Sequence, residues 1–367
     1  MISIFRMTLL SFLLALAAPT VAQVDTPTSS DESGTAEADS TKSDKKVRFA
    51  AIPIPNYNPT FGWGIGAMVA GYYKLSSEDL ISPPSSTMLF GFYAENKTSV
   101  YGFFQQLYMK EDTWRADFGL GDAGINFQFY MDDPSGGNFQ QYANANLFIR
   151  GRVFREVLDD AFLGLVYQYR DSYLTLPDYP GLVDTRSLYR SLGLAASYDT
   201  RPNVFNPPSG WYLDFGFLPY DLIISSPQEF QTLNLTSSRY QPMPAGAVLA
   251  FNSTIDVGFG DVPFEEQAVV GVRNLRGYST GKYREDQVYT IQAEYRRRFW
   301  RRLGGVAFAG AGWAAPEIQD LRIADTLGSV GLGLRYLMIT EYDINVGVDL
   351  AWGNEERVFY FKIGEAF

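Results

Sequence analysis

Arg276-Gly277-Tyr278 is the group of residues in this chain best placed for specific polar chemistry. It lies within Gly271 to Gly281, in a connection from Gly260 to Glu285 that is far longer than a hairpin needs. Arg276 offers five donors in a planar fork to an acidic partner, and Gly277 permits a tight turn or a close approach to a wall. Catalytic chemistry has little to work with. The 367 residues include no histidine and no cysteine. The commonest general base and metal ligand is therefore missing, and thiolate nucleophiles, disulfides and cysteine-held zinc are excluded. Acid pairs at Asp132-Asp133, Glu265-Glu266 and Glu355-Glu356 sit beside turn-forming or charged residues and read as solvated rims, where charge is cheap. Tyr167, Tyr169, Tyr173 and Tyr179 fit an aromatic girdle better than a carbohydrate platform. The expectation is a protein that is not an enzyme, with no catalytic residue, no cofactor and no metal.

The elements that hold Arg276 in place read as strands. The chain carries 24 Tyr, 27 Phe, 6 Trp and 34 Gly, in short alternating segments that suit a membrane barrel with aromatic girdles. In Gln287–Phe299, Tyr289, Ile291, Ala293, Tyr295 and Phe299 face one way, while Thr290, Gln292, Glu294, Arg296 and Arg298 face the other. Tyr342, Ile344, Val346, Val348, Leu350 and Trp352 repeat the pattern against Asp343, Asn345, Gly347 and Asp349. Such alternation predicts lipid on one side and water or polar groups on the other. About sixteen segments can be counted, or fourteen if the weak stretches Trp114–Gly119 and Ile125–Tyr130 are dropped. A soluble β-sandwich shares the composition but not the lipid-like faces. Met1 to Ala22 reads as a secretory signal, with Arg6, an apolar core and a small-residue cleavage site. Residues 23–58 read as a disordered periplasmic linker, and 59–367 as the barrel. A formal charge of −11 argues against a nucleic-acid partner.

Arg276-Gly277-Tyr278 resembles the Arg-Gly-Phe/Tyr core of the sixth extracellular loop in the superfamily of outer-membrane assembly factors and two-partner secretion transporters. Asp199-Thr200-Arg201-Pro202-Asn203, followed by Pro207-Pro208-Ser209-Gly210, resembles that superfamily's Asp-x-Arg-x-Asn … Pro-x-x-Gly signature between two strands. Phe367, at the end of an amphipathic segment containing Phe359, Phe361 and Ile363, resembles the recognition signal of bacterial outer-membrane proteins. The resemblance implies an all-β fold, a transmembrane antiparallel barrel of sixteen strands in the bacterial outer membrane, in a short form without periplasmic domains. It implies a long extracellular loop folded into the lumen and an ion pair from Arg276 to Glu294. A second acceptor is expected near Gly310, where this sequence has no acid, and Asp343 or Asp349 is the candidate replacement. It also implies a weak seam between first and last strands, here from near Trp63 to Phe367, with Gly64, Gly66, Gly71 and Gly364 to bend it. The implied role is insertion or translocation of other proteins. The partners implied are outer-membrane lipid and either the assembly machinery or a separate periplasmic protein. Two alternatives stand beside it: a passive pore plugged by loop 260–285, and a structural or surface-display barrel.

Overall fold

A computed structural model describes residues 47–58, 62–131, 138–175, 184–220, 229–271, 274–278, 283–354 and 356–367. The chain begins with β1 (Arg48–Asn58), β2 (Gly62–Tyr73), β3 (Ser85–Ala94) and β4 (Ser99–Met109). Longer strands follow, β5 (Trp114–Met131), β6 (Asn138–Leu158), β7 (Ala161–Thr175) and β8 (Asp184–Asp199). Then come β9 (Gly210–Pro219), β10 (Phe230–Met243) and β11 (Ala247–Gly260). A short ribbon, β12 (Ala268–Val269) with β13 (Arg284–Glu285), forms inside the long connection. The last five strands are β14 (Gln287–Trp300), β15 (Leu303–Ala315), β16 (Leu327–Ile339), β17 (Ile344–Trp352) and β18 (Arg357–Ile363). All but the ribbon belong to one 16-stranded sheet, ordered as in the sequence, and every ladder is antiparallel between neighbours. An even strand count brings the chain back to the rim where it started. The long connection between β11 and β14 therefore opens at the opposite rim.

The sheet is inside-out relative to a soluble protein. On β14, Thr290, Gln292, Glu294 and Arg296 are 2%, 5%, 0% and 6% exposed, whereas Ile291 and Phe299 are 52% and 60% exposed. Leu332, Leu334, Phe359 and Phe361 continue the exposed apolar surface around β16 and β18. Water would penalise that arrangement. Hydrocarbon outside and a polar lumen inside favour it, because the ladders satisfy the backbone within the sheet.

Three sequence expectations need correction. Residues 48–58 are not linker but β1, laddered to β2 from Arg48 opposite Tyr72 to Asn58 opposite Gly62. The strand beginning near Trp63 is thus the second, and Gly64, Gly66 and Gly71 do not lie on the seam strand. The two weak stretches before Met131 are one continuous strand, β5. The gain and the loss cancel, which is how a count of about sixteen arose from different pieces. The face of β17 also does not run through Tyr342 and Ile344. Asp343 sits at φ 54, which breaks the alternation, and Ile344 is buried against Ile339, Tyr72 and Phe205 with Tyr342 packed beside it. Of the turn-rich stretches Asp132–Asn138 and Leu176–Asp184, which read as loops in the sequence, residues 132–137 and 176–183 lie outside the described residues, as do Met1 to Ala22, residues 23–46, Tyr179 and Gly281, while Asn138 and Asp184 begin β6 and β8.

The two ends of the sheet approach each other without joining. Among the described residues no ladder pairs β1 with β18. Side chains bridge the gap at the terminal rim instead. Arg48 of β1 meets Glu341 of the β16–β17 turn at 2.8 Å, and Ile54 and Ile363 flank one apolar cluster with Tyr72 and Ile344.

Candidate functional site

The described residues of the connection from Gly260 to Glu285 fold into the lumen, and Arg276 is the most buried charged group among them, 1% exposed. Its Nη1 lies 2.6 Å from Glu294 Oε2 on β14 and donates to Asp349 Oδ2 on β17 at 2.8 Å. Neither acid depends on Arg276 alone. Arg296 Nε donates to the other oxygen of Glu294 at 2.6 Å, and Arg335 on β16 donates to both oxygens of Asp349. Glu365 completes the circuit, 2.9 Å from Arg335 and 3.8 Å from Arg296. Arginines and acids thus alternate round a closed ring of six, and each carboxylate has a cation on either side. Lys362 Nζ stands at its edge, 3.9 Å from Asp349.

The place of the missing acid near Gly310 has a steric explanation. A Cβ at Gly310 would come within 2.8 Å of Leu275 Cδ1, and one at Gly312 within 2.9 Å of Leu275 Cδ2. The wall is pared back there to seat Leu275, and the Arg276 guanidinium lies 3.4 Å from the centroid of the Phe308 ring. Stacking on an aromatic face replaces one acceptor, and Asp349 supplies the other. Asp343 is elsewhere, paired with Arg298 at the terminal rim.

Gly277 and Tyr278 fix the loop against β16 to β18. Gly277 has φ 106, and an added Cβ would meet Trp352 and Gly353 backbone at 3.0 Å. Its N–H donates to Tyr360 Oη at 2.9 Å. Tyr278 is fully buried with Val270, Leu275, Val288 and Leu327, and its hydroxyl donates to the Gly328 carbonyl at 2.5 Å. Gly353 is the counterpart in the wall, since a Cβ there would lie 2.5 Å from the Gly277 carbonyl.

A second anchor holds the same loop to the opposite part of the sheet. Glu266 is not a solvated rim acid. Its carboxylate pairs with Arg170 of β7 at 2.7 Å and accepts from Tyr220 Oη at 3.2 Å. Arg170 also donates to the Glu265 carbonyl at 2.7 Å, and Tyr189 donates to the Glu265 carboxylate. Burial pushes the Glu266 carboxyl above the usual carboxylate range, against the opposing pull of Arg170. The loop is therefore tied at Glu266 to β7 and at Arg276 to β14 and β17, across the lumen.

The turn motif forms a strap at the other rim. Arg201 folds back on Asp199 in a two-bonded pair at 2.7 and 2.9 Å, and Arg115 of β5 reaches Asp199 at 3.0 Å. Asn203 donates from Nδ2 to the Tyr342 carbonyl at 3.1 Å while its Oδ1 accepts from the Phe205 N–H. Phe205 meets Tyr72 of β2 edge-on, with ring centroids 5.6 Å apart. Pro208 and Gly210 return the chain to β9, and Gly210 at φ 105 approaches the Thr200 carbonyl too closely for a side chain. The motif thus spans from β8 to the β16–β17 turn and places Phe205 beside both ends of the sheet.

Phe367 does not extend the last strand. Gly364, at φ 75, turns the chain after β18, so the spacing from Ile363 no longer sets the facing. The Phe367 ring lies 5.3 Å from the Arg296 guanidinium and 5.9 Å from that of Arg276, and its carbonyl accepts from Arg296 at 2.7 Å.

A family model described as the Omp85 superfamily domain matches residues 164–367, more than half of the sequence and the part that carries the ring, the loop and the strap motif. The chain belongs to the Omp85 superfamily. Two solved structures are similar to it in fold. One is BamA from Haemophilus ducreyi lacking POTRA domains 1-3, at TM-score 0.57 and 13% identity, covering 87% of this chain and 70% of that one. The other is CdiB from Acinetobacter baumannii, at TM-score 0.58 and 10% identity, covering 86% of this chain and 59% of that one. At such identities the likeness is one of fold. A comparison with curated proteins gave no match. As a member of the Omp85 superfamily the protein is an outer-membrane β-barrel related to assembly and secretion factors.

Sequence reasoning reached Arg276 and Glu294 but left Arg335, Glu365, Phe308 and Gly353 unremarked. Arg335 had a usable signal: it sits between exposed Leu334 and Tyr336 in β16, and a charge at that parity must face the lumen. Arg170 gave a weaker one, since it shares the parity opposite exposed Leu163 and Leu165 in β7 but is followed by charged Asp171. Gly353 gave none, because its role is defined only by the loop that packs on it.

Proposed function

We propose that this Omp85 barrel inserts other proteins into the outer membrane or passes them across it, using the seam between β1 and β18 as its working edge. The observation that carries the reading is the unladdered seam. Inside a bilayer, unpaired backbone groups are costly, so a sheet whose edges meet through side chains at one rim is poised to accept another strand. The plugged lumen supports the same reading, because Arg276 and Glu266 brace the barrel from within while its wall is open. Lipid is the first partner, and a periplasmic protein that delivers clients is the second. The absence of histidine and cysteine fits a non-enzymatic role.

The test is folding of a small outer-membrane barrel into liposomes with and without this protein. Faster folding in its presence supports insertion; an unchanged rate with purified protein argues against it. A second reading, a gated pore, is favoured by the two-sided anchoring of loop 260–285. It predicts stable conductance when the loop is shortened and no effect on client folding. Surface display predicts neither effect.

A further inference from the structure

Charge is unevenly spread over the wall. The chain carries a formal charge of −11, yet five of the seven residues from Arg296 to Arg302 are arginine. Arg296 belongs to the lumenal ring, and Arg298 pairs with Asp343 at 2.5 Å. Arg297, Arg301 and Arg302 are exposed, and among the described residues none of their side chains has a polar partner. The neighbouring turns hold no spare acid. Pro244-Ala245-Gly246, between β10 and β11, contains none. Glu341 and Asp343, in the turn between β16 and β17, are committed to Arg48 and Arg298.

Topology fixes where these cations stand. Arg301-Arg302 is the two-residue turn between β14 and β15. It lies at the rim where β1 begins and β18 ends, which is the periplasmic rim of an outer-membrane barrel. Arg297 turns outward with Tyr295 and Phe299, since Glu294 and Arg296 are buried in the lumen. Phe299, Trp300 and Leu303 are 60%, 64% and 36% exposed. Aromatic rings at a rim mark the level of the lipid head-groups, so the three guanidiniums stand at the depth of lipid phosphate. Above the turn, the outer face of β15 is pared down. Gly305 lies between Arg297 of β14 and Leu334 of β16, and Ala307 between Tyr295 and Leu332. Tyr295, Leu332 and Leu334 are exposed, so they stand as ridges beside a shallow trough that runs from the arginines toward the middle of the bilayer.

We propose that the β14–β15 rim is a binding site for an anionic phospholipid of the inner leaflet, with Arg297, Arg301 and Arg302 on its phosphate and one acyl chain along the outer face of β15. Guanidinium forks suit phosphate oxygens, and three of them without acids of their own give the patch a charge opposite to that of the lipid. An acidic soluble segment would satisfy the arginines but leave Phe299 and Trp300 in water. A lipid satisfies both, because its phosphate and its chains are joined across the same boundary that divides the arginines from the rings. The inference rests on the barrel's place in the outer membrane and is independent of the insertion reading.

Trp300 reports on the site from within it. The full chain is reconstituted in phosphatidylcholine liposomes containing a fixed minor fraction of lipid with brominated acyl chains, either phosphatidylglycerol or phosphatidylcholine. Tryptophan quenching in the parent minus that in Trp300→Phe isolates this one residue. The expected result is several-fold stronger quenching of Trp300 by the brominated phosphatidylglycerol. Arg297→Gln/Arg301→Gln/Arg302→Gln should abolish that preference while the folded band persists in detergent gel electrophoresis. Arg155→Gln/Arg239→Gln, which removes the guanidiniums beside Trp114 and Trp211, should leave it intact. Ala307→Leu/Ala309→Leu fills the trough and should weaken quenching by phosphatidylglycerol with the arginines in place. Equal quenching by the two lipids in the parent overturns the proposal, as does a preference that survives the triple substitution. Loss of the preference in Arg155→Gln/Arg239→Gln would also overturn it, by reducing the site to a general effect of charge. Unchanged quenching in Ala307→Leu/Ala309→Leu overturns the placement of the acyl chain.

Discussion

Arg276 and Asp349 meet at 2.8 Å although the first belongs to an in-folded loop and the second to β17. Asp349 is held on its other side by Arg335, as Glu294 is by Arg296. The wall therefore keeps its own ion pairs whether or not the loop arginine is present.

This redundancy sets an order of effects. Arg276→Ala removes the loop's guanidinium from the ring and leaves both acids paired, so the barrel should fold and the loop should loosen. Glu294→Ala/Asp349→Ala leaves Arg276 buried without an acid, a loss on the order of 3–5 kcal/mol. Single-channel conductance in planar bilayers should rise in the order wild type, Arg276→Ala, double variant. The two single acid variants should fall short of the double by more than additivity allows.

The backbone at Gly277 makes a separate prediction. Its φ of 106, and the 3.0 Å at which an added Cβ would meet Trp352 and Gly353, exclude a side chain. Gly277→Ala should cost about 1–3 kcal/mol in strain alone, and Gly353→Val should mimic it from the wall side. Both should raise conductance with the charged ring intact. Normal silence in both variants would mean that the loop tolerates displacement there.

The second anchor predicts partial release. Glu266→Ala or Arg170→Ala should free the β12–β13 end of the loop while Arg276 holds the other. The expected trace is brief, flickering openings in place of a sustained level. Combining Glu266→Ala with Arg276→Ala should give the sustained level of a loop deletion.

The strap can be tested through stability. Phe205→Ala empties a position between Tyr72 and the β16–β17 turn, and truncating a buried aromatic residue typically costs about 3–5 kcal/mol. The temperature at which the folded band converts to the unfolded band in detergent gel electrophoresis should fall. Arg201→Ala should act in the same direction by loosening the turn from Asp199.

Much of this architecture was legible in the alternation itself. Thr290 to Phe299 announced the two faces of β14, and the same parity placed Glu294 in the lumen. The loop motif and the strap motif were also visible as residues. Their destinations were not. Nothing local in Asn203 indicates that its side chain binds the Tyr342 carbonyl, because that contact exists only after the sheet curls. β1 was hidden for a different reason: Pro53 and Pro55 argue against a strand interior, and only its place at the edge admits them. Glu265-Glu266 misled because a paired acid in a loop is normally hydrated, whereas here Arg170 and Tyr220 wait on the facing wall. Phe367 misled because spacing implies facing only while the strand continues, and Gly364 ends it.

The central claim is that the seam must part for the protein to act. A cysteine at Ala51, combined in turn with one at each position of 357–363, identifies the pair that forms a disulfide across β1 and β18. Folding of a test barrel into liposomes is then followed with that pair oxidised and reduced. The account predicts that oxidation abolishes the acceleration and that reductant restores it. Equal acceleration in both states would contradict it and would move the working element from the seam to the lumen.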